Sequence, residues 1–107
     1  MDPQAVLALY ERMLALTRDM LEAARGSDWD GLVQRERERA GLMDQIKEHD
    51  PDPGRAAATR ERKRAIIVDI LKTDEQIQVL SQDWMHELRE VLGSVKTEQR
   101  LTRTYGP

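Results

Sequence analysis

The feature that most constrains the fold of this chain is a long stretch without proline, between Pro53 and Pro107. Its apolar residues recur at alternating three- and four-residue spacing, which places them on one face of an α-helix. A single helix from about residue 55 to residue 95 would be about 60 Å long. So long a helix is typical of coiled-coil-like packing. The first row of positions is Ile67, Ile70, Asp74, Ile77, Ser81, Trp84, Leu88, Val91 and Val95, and the second is Leu71, Gln78, Met85 and Leu92.

Two shorter helical segments precede Pro53. A 4-3-4-3-4 apolar spacing, with a parallel row seven residues apart, predicts the first helix from Pro3 to Arg25. Proline suits its first turn, where the missing N–H is not needed. The second helix is predicted from about Asp28 to Glu48. The apolar positions are Val6, Leu7, Tyr10, Met13, Leu14, Thr17, Met20, Leu21 and Ala24 in the first, and Trp29, Leu32, Val33, Ala40, Met43 and Ile46 in the second.

The stretch RGSDWDG, residues 25–31, predicts the joint between these two helices. Gly26 can adopt the left-handed conformation that ends a helix. Ser27 can cap the next helix, with Asp30 three residues later in a position like that of a capping box. Trp29 is then the first apolar residue of the second helix. The alternative is an exposed Trp29 that stacks on a ligand. The stretch HDPDPG, residues 49–54, predicts the second break.

The composition agrees with narrow apolar stripes on helices. Hydrophobic residues make up 39% of the chain, charged residues 35% and aromatic residues 4%, too few apolar groups for a large globular core. The predicted fold is therefore all-α. It consists of an antiparallel helical hairpin, one long third helix and a short C-terminal helical tail after a bend at Gly93 and Ser94, in a single domain covering residues 1–107. No apolar run approaches the ~20 residues needed to span a membrane.

Several charged residues lie at positions that a helical pattern would leave apolar. Glu36 falls between Val33 and Ala40 and either reaches solvent or pairs with an arginine, whereas the remainder of QRERER is interpreted as a solvated face. A basic cluster early in the third helix is interpreted as solvated, or as a docking surface for an acidic protein. It lacks interleaved aromatic residues, and the net charge is −3, so direct nucleic-acid binding is not expected. The cluster is Arg55, Arg60, Arg62, Lys63 and Arg64.

The residues give no indication of catalysis or of a bound cofactor. The chain has no cysteine, which excludes thiolate metal sites and thiol nucleophiles. Its two histidines are His49, in the second break, and His86, near Asp83 and Glu90 on a helix. Both are interpreted as surface residues. Ser81 lies five residues from His86, so the two do not share a helix face as a nucleophile and base would. We therefore expect neither an enzyme nor a metal protein.

Three segments resemble the family of FliT-type flagellar export chaperones. They are GSDWDGLVQRE at residues 26–36, TDEQIQVL at residues 73–80 and HELREVLGSVKTEQRLTRTYG at residues 86–106. The break at DPDPG falls in the matching place, and the resemblance covers nearly the whole chain in order. It implies a cytoplasmic chaperone of the flagellar type III export system. The implied client is the C-terminal region of the filament-cap protein, and the further implied partners are components of the export ATPase complex and the flagellar master transcription regulator.

The third helix has more apolar surface than a two-helix hairpin can cover, which favours a groove that accepts a client helix. We expect the client-binding residues in its upper part, although all of them could instead be ordinary core residues. An alternative function is self-association into a homodimer through the same stripe. In the tail, Leu101 and Tyr105 form an i, i+4 pair that we expect to regulate the groove. The alternative is a tail that is disordered or that caps the end of the bundle. The expected client-binding residues are Ile66, Ile67, Ile70, Leu71, Ile77, Leu80 and Trp84.

Overall fold

The computed structural model describes the backbone of residues 1–105 and the side chains of residues 1–93. It contains three helices, α1 (Pro3–Arg25), α2 (Trp29–His49) and α3 (Ala57–Tyr105), and the described backbone has no strand. The all-α prediction is confirmed, and the bounds of α1 and α2 agree with the apolar periods. Helix α3 is not interrupted at Gly93 and Ser94, so the C-terminal tail is the last part of α3.

The chain divides into two compact units, Met1–Ile77 and Gln78–Pro107, which are described separately. The first unit contains α1, α2 and the beginning of α3. The second contains the remainder of α3. Within the part of the chain that the structure describes, no helix is both long and apolar enough to cross a lipid bilayer.

Helix α1 begins and ends as its sequence predicts. The side chain of Asp2 caps its N-terminus by accepting a hydrogen bond from the backbone N–H of Ala5 at 2.8 Å, and Pro3 occupies the first turn. Arg25 lies in the last turn, where its charge complements the negative end of the helix dipole. The buried face of α1 includes most of the apolar positions that the sequence indicated.

The joint between α1 and α2 differs by one residue from the prediction. Ser27, not Gly26, has a left-handed backbone, with φ of 56°. A Schellman motif closes α1 through two backbone hydrogen bonds. The N–H of Ser27 donates to the carbonyl of Ala24 at 3.1 Å, and the N–H of Asp28 donates to the carbonyl of Ala23 at 2.8 Å. Ser27 is therefore part of the α1 terminus and does not cap α2. The prediction that Ser27 caps the second helix is wrong.

Asp28 is the cap of α2. Its Oδ1 accepts a hydrogen bond from the backbone N–H of Gly31 at 3.0 Å. A Cβ atom at Gly31 would collide with the Asp28 carboxylate and would lie 2.7 Å from a guanidinium nitrogen of Arg35, so glycine permits this close approach. Trp29 is the first residue of α2 and is half-buried, which confirms its interpretation as a helix residue.

The core of the first unit takes residues from all three helices. Arg39 on α2 pairs with Asp74 on α3, and Asp50 after α2 pairs with Lys63 on α3. A later residue at the α2 end thus pairs with an earlier residue of α3, so these two helices are antiparallel, as expected. The buried core cluster is Val6, Leu9, Tyr10, Met13, Leu14, Leu42, Ile46, Ile66 and Ile70, with Leu7 packed against it.

In the second unit, the described side chains of α3 are mostly exposed. Leu80 and Leu88 are half-buried, and His86 pairs with Glu90 through Nε2 and Oε1 at 3.2 Å. That pairing agrees with the interpretation of His86 as a surface residue. The exposed large apolar side chains of this unit are Val79, Trp84, Met85, Val91 and Leu92. Leu101 and Tyr105 lie outside the described side chains.

Candidate binding groove

An apolar groove of about 790 Å³ lies in the first unit, between α2 and α3. The α2 residues that line it follow a helical stripe at 4-3-4 spacing from Glu36 to Lys47, and the α3 residues follow a second stripe from Ile67 to Asp74. Each stripe is one helix face, and the groove exists because the two faces do not close on each other. The full lining is Tyr10, Met13, Glu36, Arg39, Ala40, Met43, Ile46, Lys47, Asp50, Pro51, Pro53, Ile67, Ile70, Leu71 and Asp74.

The groove has a buried floor and an exposed apolar rim. Met13, Ile46 and Ile70 belong to the core cluster and form part of the floor. On the rim, Ile67 is 38% exposed and Leu71 is 58% exposed. Large apolar side chains on a concave surface remain in contact with water here, and covering them would be favourable by about 25 cal/mol per Å².

An ion pair bridges the groove at one end. The Arg39 guanidinium lies 2.6 Å from Oδ1 of Asp74, across from α2 to α3. Arg39 also donates to the hydroxyl of Thr17 at 3.3 Å, and Thr17 donates to the carbonyl of Met13 at 2.8 Å. Thr17 is fully buried, so this network joins all three helices. The interpretation of QRERER as an entirely solvated face is wrong for Arg39, which is half-buried.

A second polar network closes the other end. Nζ of Lys63 donates to Oδ2 of Asp50 at 2.8 Å and to the carbonyl of Pro53 at 3.3 Å. The hydroxyl of Tyr10 donates to the same Asp50 oxygen at 2.8 Å, and the Lys63 ammonium lies 5.5 Å from the centre of the Tyr10 ring. The network fixes the α2–α3 loop, whose Pro51 and Pro53 line the groove.

The electrostatics of this network follow from burial and pairing. Burial alone would raise the pKa of Asp50, but hydrogen bonds from Lys63 and Tyr10 and the charge of Lys63 lower it below its ordinary value. Burial and the hydrogen bond to Asp50 raise the pKa of the Tyr10 hydroxyl. The side chain of Lys63 is only 3% exposed, so its interpretation as part of a solvated basic face is wrong. The sequence alone did not indicate that the Asp50 carboxylate compensates the charge of Lys63.

The structure places the seven predicted client-binding residues in different environments. Ile67, Ile70 and Leu71 line the groove. Ile66 is 1% exposed and belongs to the core, and Ile77 is also buried. The other two, Leu80 and Trp84, belong to the second unit.

The prediction from sequence missed the half of the groove that α2 contributes. Ala40 and Met43 were recognised as apolar positions, but they were assigned to the packing of α2. The spacing of Glu36, Ala40, Met43 and Lys47 on one stripe was the available indication. Among the described residues, no three His, Asp or Glu side chains are arranged to hold a metal ion.

Comparison with known proteins gives the family. The model of the family described as flagellar protein FliT matches residues 7–107. The chain belongs to the FliT family. Every residue that lines the groove lies within the part of the chain that matches this family. No solved structure matches the chain.

Three FliT relatives match along most of their length. The chain is 28% identical over 97 residues to flagellar protein FliT of Citrobacter koseri, covering 91% of this chain and 80% of the relative. It is 26% identical to flagellar protein FliT of Photorhabdus laumondii, over 94% of this chain and 81% of the relative. It is 25% identical to flagellar protein FliT of Serratia proteamaculans, over 96% of this chain and 84% of the relative.

Proposed function

We propose that this FliT family protein is a cytoplasmic export chaperone of the flagellar type III system that holds a helix of its client in the groove between α2 and α3. The client is the C-terminal region of the filament-cap protein. The observation that carries the proposal is the exposed apolar rim, with Leu71 58% exposed above a buried floor. Family membership supports the flagellar context.

The physical basis is helix-in-groove recognition. A secreted protein that must remain unfolded or monomeric before export has apolar helical segments that would otherwise aggregate. An amphipathic client helix would place its apolar side chains between Met43 on α2 and Leu71 on α3, and both surfaces would lose contact with water. The role is binding and shielding, and it requires no catalysis.

Further partners are part of the same proposal. Components of the export ATPase complex would receive the chaperone with its client, and the flagellar master transcription regulator would be a second binding partner. The support for both is the resemblance together with the FliT family match. That Leu80 and Trp84 bind the client stays a prediction.

The experiment compares two neighbouring residues of α3. Ile67 is 38% exposed and lines the groove, whereas Val68 is 40% exposed and does not line it. Each is replaced by aspartate, and a peptide of the filament-cap C-terminal region is titrated calorimetrically. Since a charge on the rim must lose its hydration when the client covers it, Ile67→Asp should weaken binding at least about tenfold. Val68→Asp should change the affinity by less than about twofold.

Circular dichroism provides the folding control, because both variants should keep the helicity of the parent chain. Equal effects of the two substitutions, or unchanged binding by Ile67→Asp, would contradict the groove as the client site. Sedimentation of the chain with and without the peptide tests the homodimer alternative. A dimer that Ile67→Asp dissociates, with no peptide binding by the parent chain, would favour self-association.

We also propose that the C-terminal segment with Leu101 and Tyr105 regulates client binding. The support is the resemblance to the FliT-type family, and the small apolar area of the pair would make the segment a weak competitor that a client can displace. If the segment competes with the client, a chain ending at Lys96 should bind the peptide roughly 5- to 100-fold more tightly. Equal or weaker binding by the shortened chain would contradict the regulatory role.

A further inference from the structure

Two charged residues on the rim of the groove have no partner within the described chain. Five charged side chains line the groove, and Arg39, Asp74 and Asp50 are all engaged in the networks at its ends. Glu36 and Lys47 form neither an ion pair nor a side-chain hydrogen bond with any described residue. Both are exposed. A negative and a positive charge therefore remain available to a molecule in the groove.

The positions of these two charges give the groove a direction. Glu36 and Lys47 lie on the same stripe of α2, eleven residues apart, which corresponds to three helical turns and about 16 Å. Glu36 lies at the end bridged by Arg39 and Asp74, and Lys47 lies towards the end closed by the α2–α3 loop. Between them, the α2 edge presents Ala40 and Met43, which are apolar. The rim is thus acidic at one end, apolar in the middle and basic at the other.

We propose that this groove selects an amphipathic helix with a basic and an acidic residue about eleven positions apart on one edge of its apolar stripe, and that these charges set its direction. The basic residue lies against Glu36 and the acidic residue against Lys47. Residues eleven apart return to nearly the same side of a helix, so a partner helix alongside α2 can satisfy both charges at once. This inference rests on the proposed function, because it concerns the occupant of the same groove.

Charge complementarity of this kind contributes more to direction and selectivity than to total affinity. An exposed ion pair strengthens binding by about two- to fivefold, and the effect weakens with salt. A helix inserted in the reverse direction, with its apolar stripe still on the floor, would present its charged edge to α3 and would leave both rim charges of α2 without a partner. The apolar floor is indifferent to direction, so the two rim charges decide it.

The probe is a synthetic 18-residue amphipathic peptide with a leucine stripe, a lysine in its first turn and a glutamate eleven residues later. A nitroxide spin label at its N-terminus broadens the NMR signals of nearby backbone amides. In the parent chain, broadening should centre on amides near Glu36. In the variant Glu36→Lys with Lys47→Glu, the peptide should reverse, and broadening should move to amides near residue 47.

The matched control is another charge exchange on α2. Arg37 and Asp44 are exposed and do not line the groove, so Arg37→Glu with Asp44→Lys should leave the direction unchanged. Affinity provides a second readout. The single variant Glu36→Lys makes both rim charges positive, and it should prefer a peptide with two glutamates over one with two lysines. Sodium chloride at about 1 M should abolish these preferences.

The outcomes separate this inference from the proposed function. Binding in both directions by the parent chain, or an unchanged direction in the exchanged variant, would overturn the inference and leave the groove as a client site. The same conclusion would follow if the filament-cap peptide bound and the designed peptide did not. Failure of both peptides to bind would overturn the proposed function, and this inference with it.

Discussion

Replacement of Lys63 by methionine should strongly destabilise the fold, because it removes the cation that compensates a nearly buried carboxylate. The Lys63 side chain is 3% exposed and that of Asp50 is 11% exposed, so solvent screens the pair only weakly. Nζ of Lys63 and the hydroxyl of Tyr10 both donate to Oδ2 of Asp50 at 2.8 Å. Methionine keeps most of the volume of the lysine stem, so packing changes little. The measured decrease in the free energy of unfolding would therefore be mainly electrostatic.

The expected magnitude follows from the environment of the pair. Removing one partner of a buried ion pair costs about 3–5 kcal/mol, and Asp50 keeps one hydrogen bond from Tyr10, so we expect the free energy of unfolding to fall by about 3 kcal/mol. Tyr10→Phe removes only that hydrogen bond and should cost about 1–1.5 kcal/mol. Combining Lys63→Met with Asp50→Asn removes the unpaired charge. The double variant should therefore be more stable than the sum of the two single losses predicts.

The acid dependence of stability provides a second test. The pKa of Asp50 is lowered in the folded state from an ordinary value of 3.8, so its carboxylate stabilises the fold at neutral pH. That contribution is fully present above the unfolded-state pKa and is lost as the pH falls through the lower folded-state pKa. In Lys63→Met the largest cause that lowers the pKa is absent. Its stability should decline less steeply than that of the parent chain below about pH 4.

Urea unfolding followed by circular dichroism at 222 nm, at pH 7 and at about pH 3, measures both effects. The matched control is Lys72→Met, because Lys72 is exposed on α3 and forms no ion pair within the described chain. It should change the free energy of unfolding by less than about 0.5 kcal/mol. A loss below about 1 kcal/mol for Lys63→Met, or strictly additive behaviour of the double variant, would refute this reasoning.

The joint between α1 and α2 and the glycines of α2 allow two further predictions by thermal unfolding. Asp28→Ala should cost about 0.5–2 kcal/mol because the α2 cap is lost, whereas Ser27→Gly should stabilise by up to about 1 kcal/mol because glycine adopts the left-handed conformation without strain. A larger loss for Ser27→Ala than for Asp28→Ala would restore Ser27 as the cap. A Cβ atom added at Gly41 would lie in open space, so Gly41→Ala should stabilise the fold by about 1 kcal/mol. Gly31→Ala should be less stable than Gly41→Ala by about 1 kcal/mol, since it displaces the Asp28 cap, and equal stabilities would contradict that role.

The sequence by itself determined the helices and their order. Apolar spacing at three and four residues is a local property, and it gave α1 and α2 within about one residue of their observed bounds. The two breaks were equally local, since proline, glycine and aspartate act on their own backbone. The left-handed residue at the joint was predicted one residue too early, because Gly26 and Ser27 can both follow a helix. The hydrogen bonds to Ala23 and Ala24 decided between them.

Only the tertiary structure decided which helix faces meet. Ile66 and Ile67 are adjacent in sequence and equally apolar, yet one is in the core and the other on the groove rim. Successive helical residues point about 100° apart, so the rotation of α3 against its neighbours sets the role of each. The same holds for Lys63, whose burial depends on a carboxylate thirteen residues away. A groove between two helices is a property of their packing, because each stripe alone also suits an ordinary core.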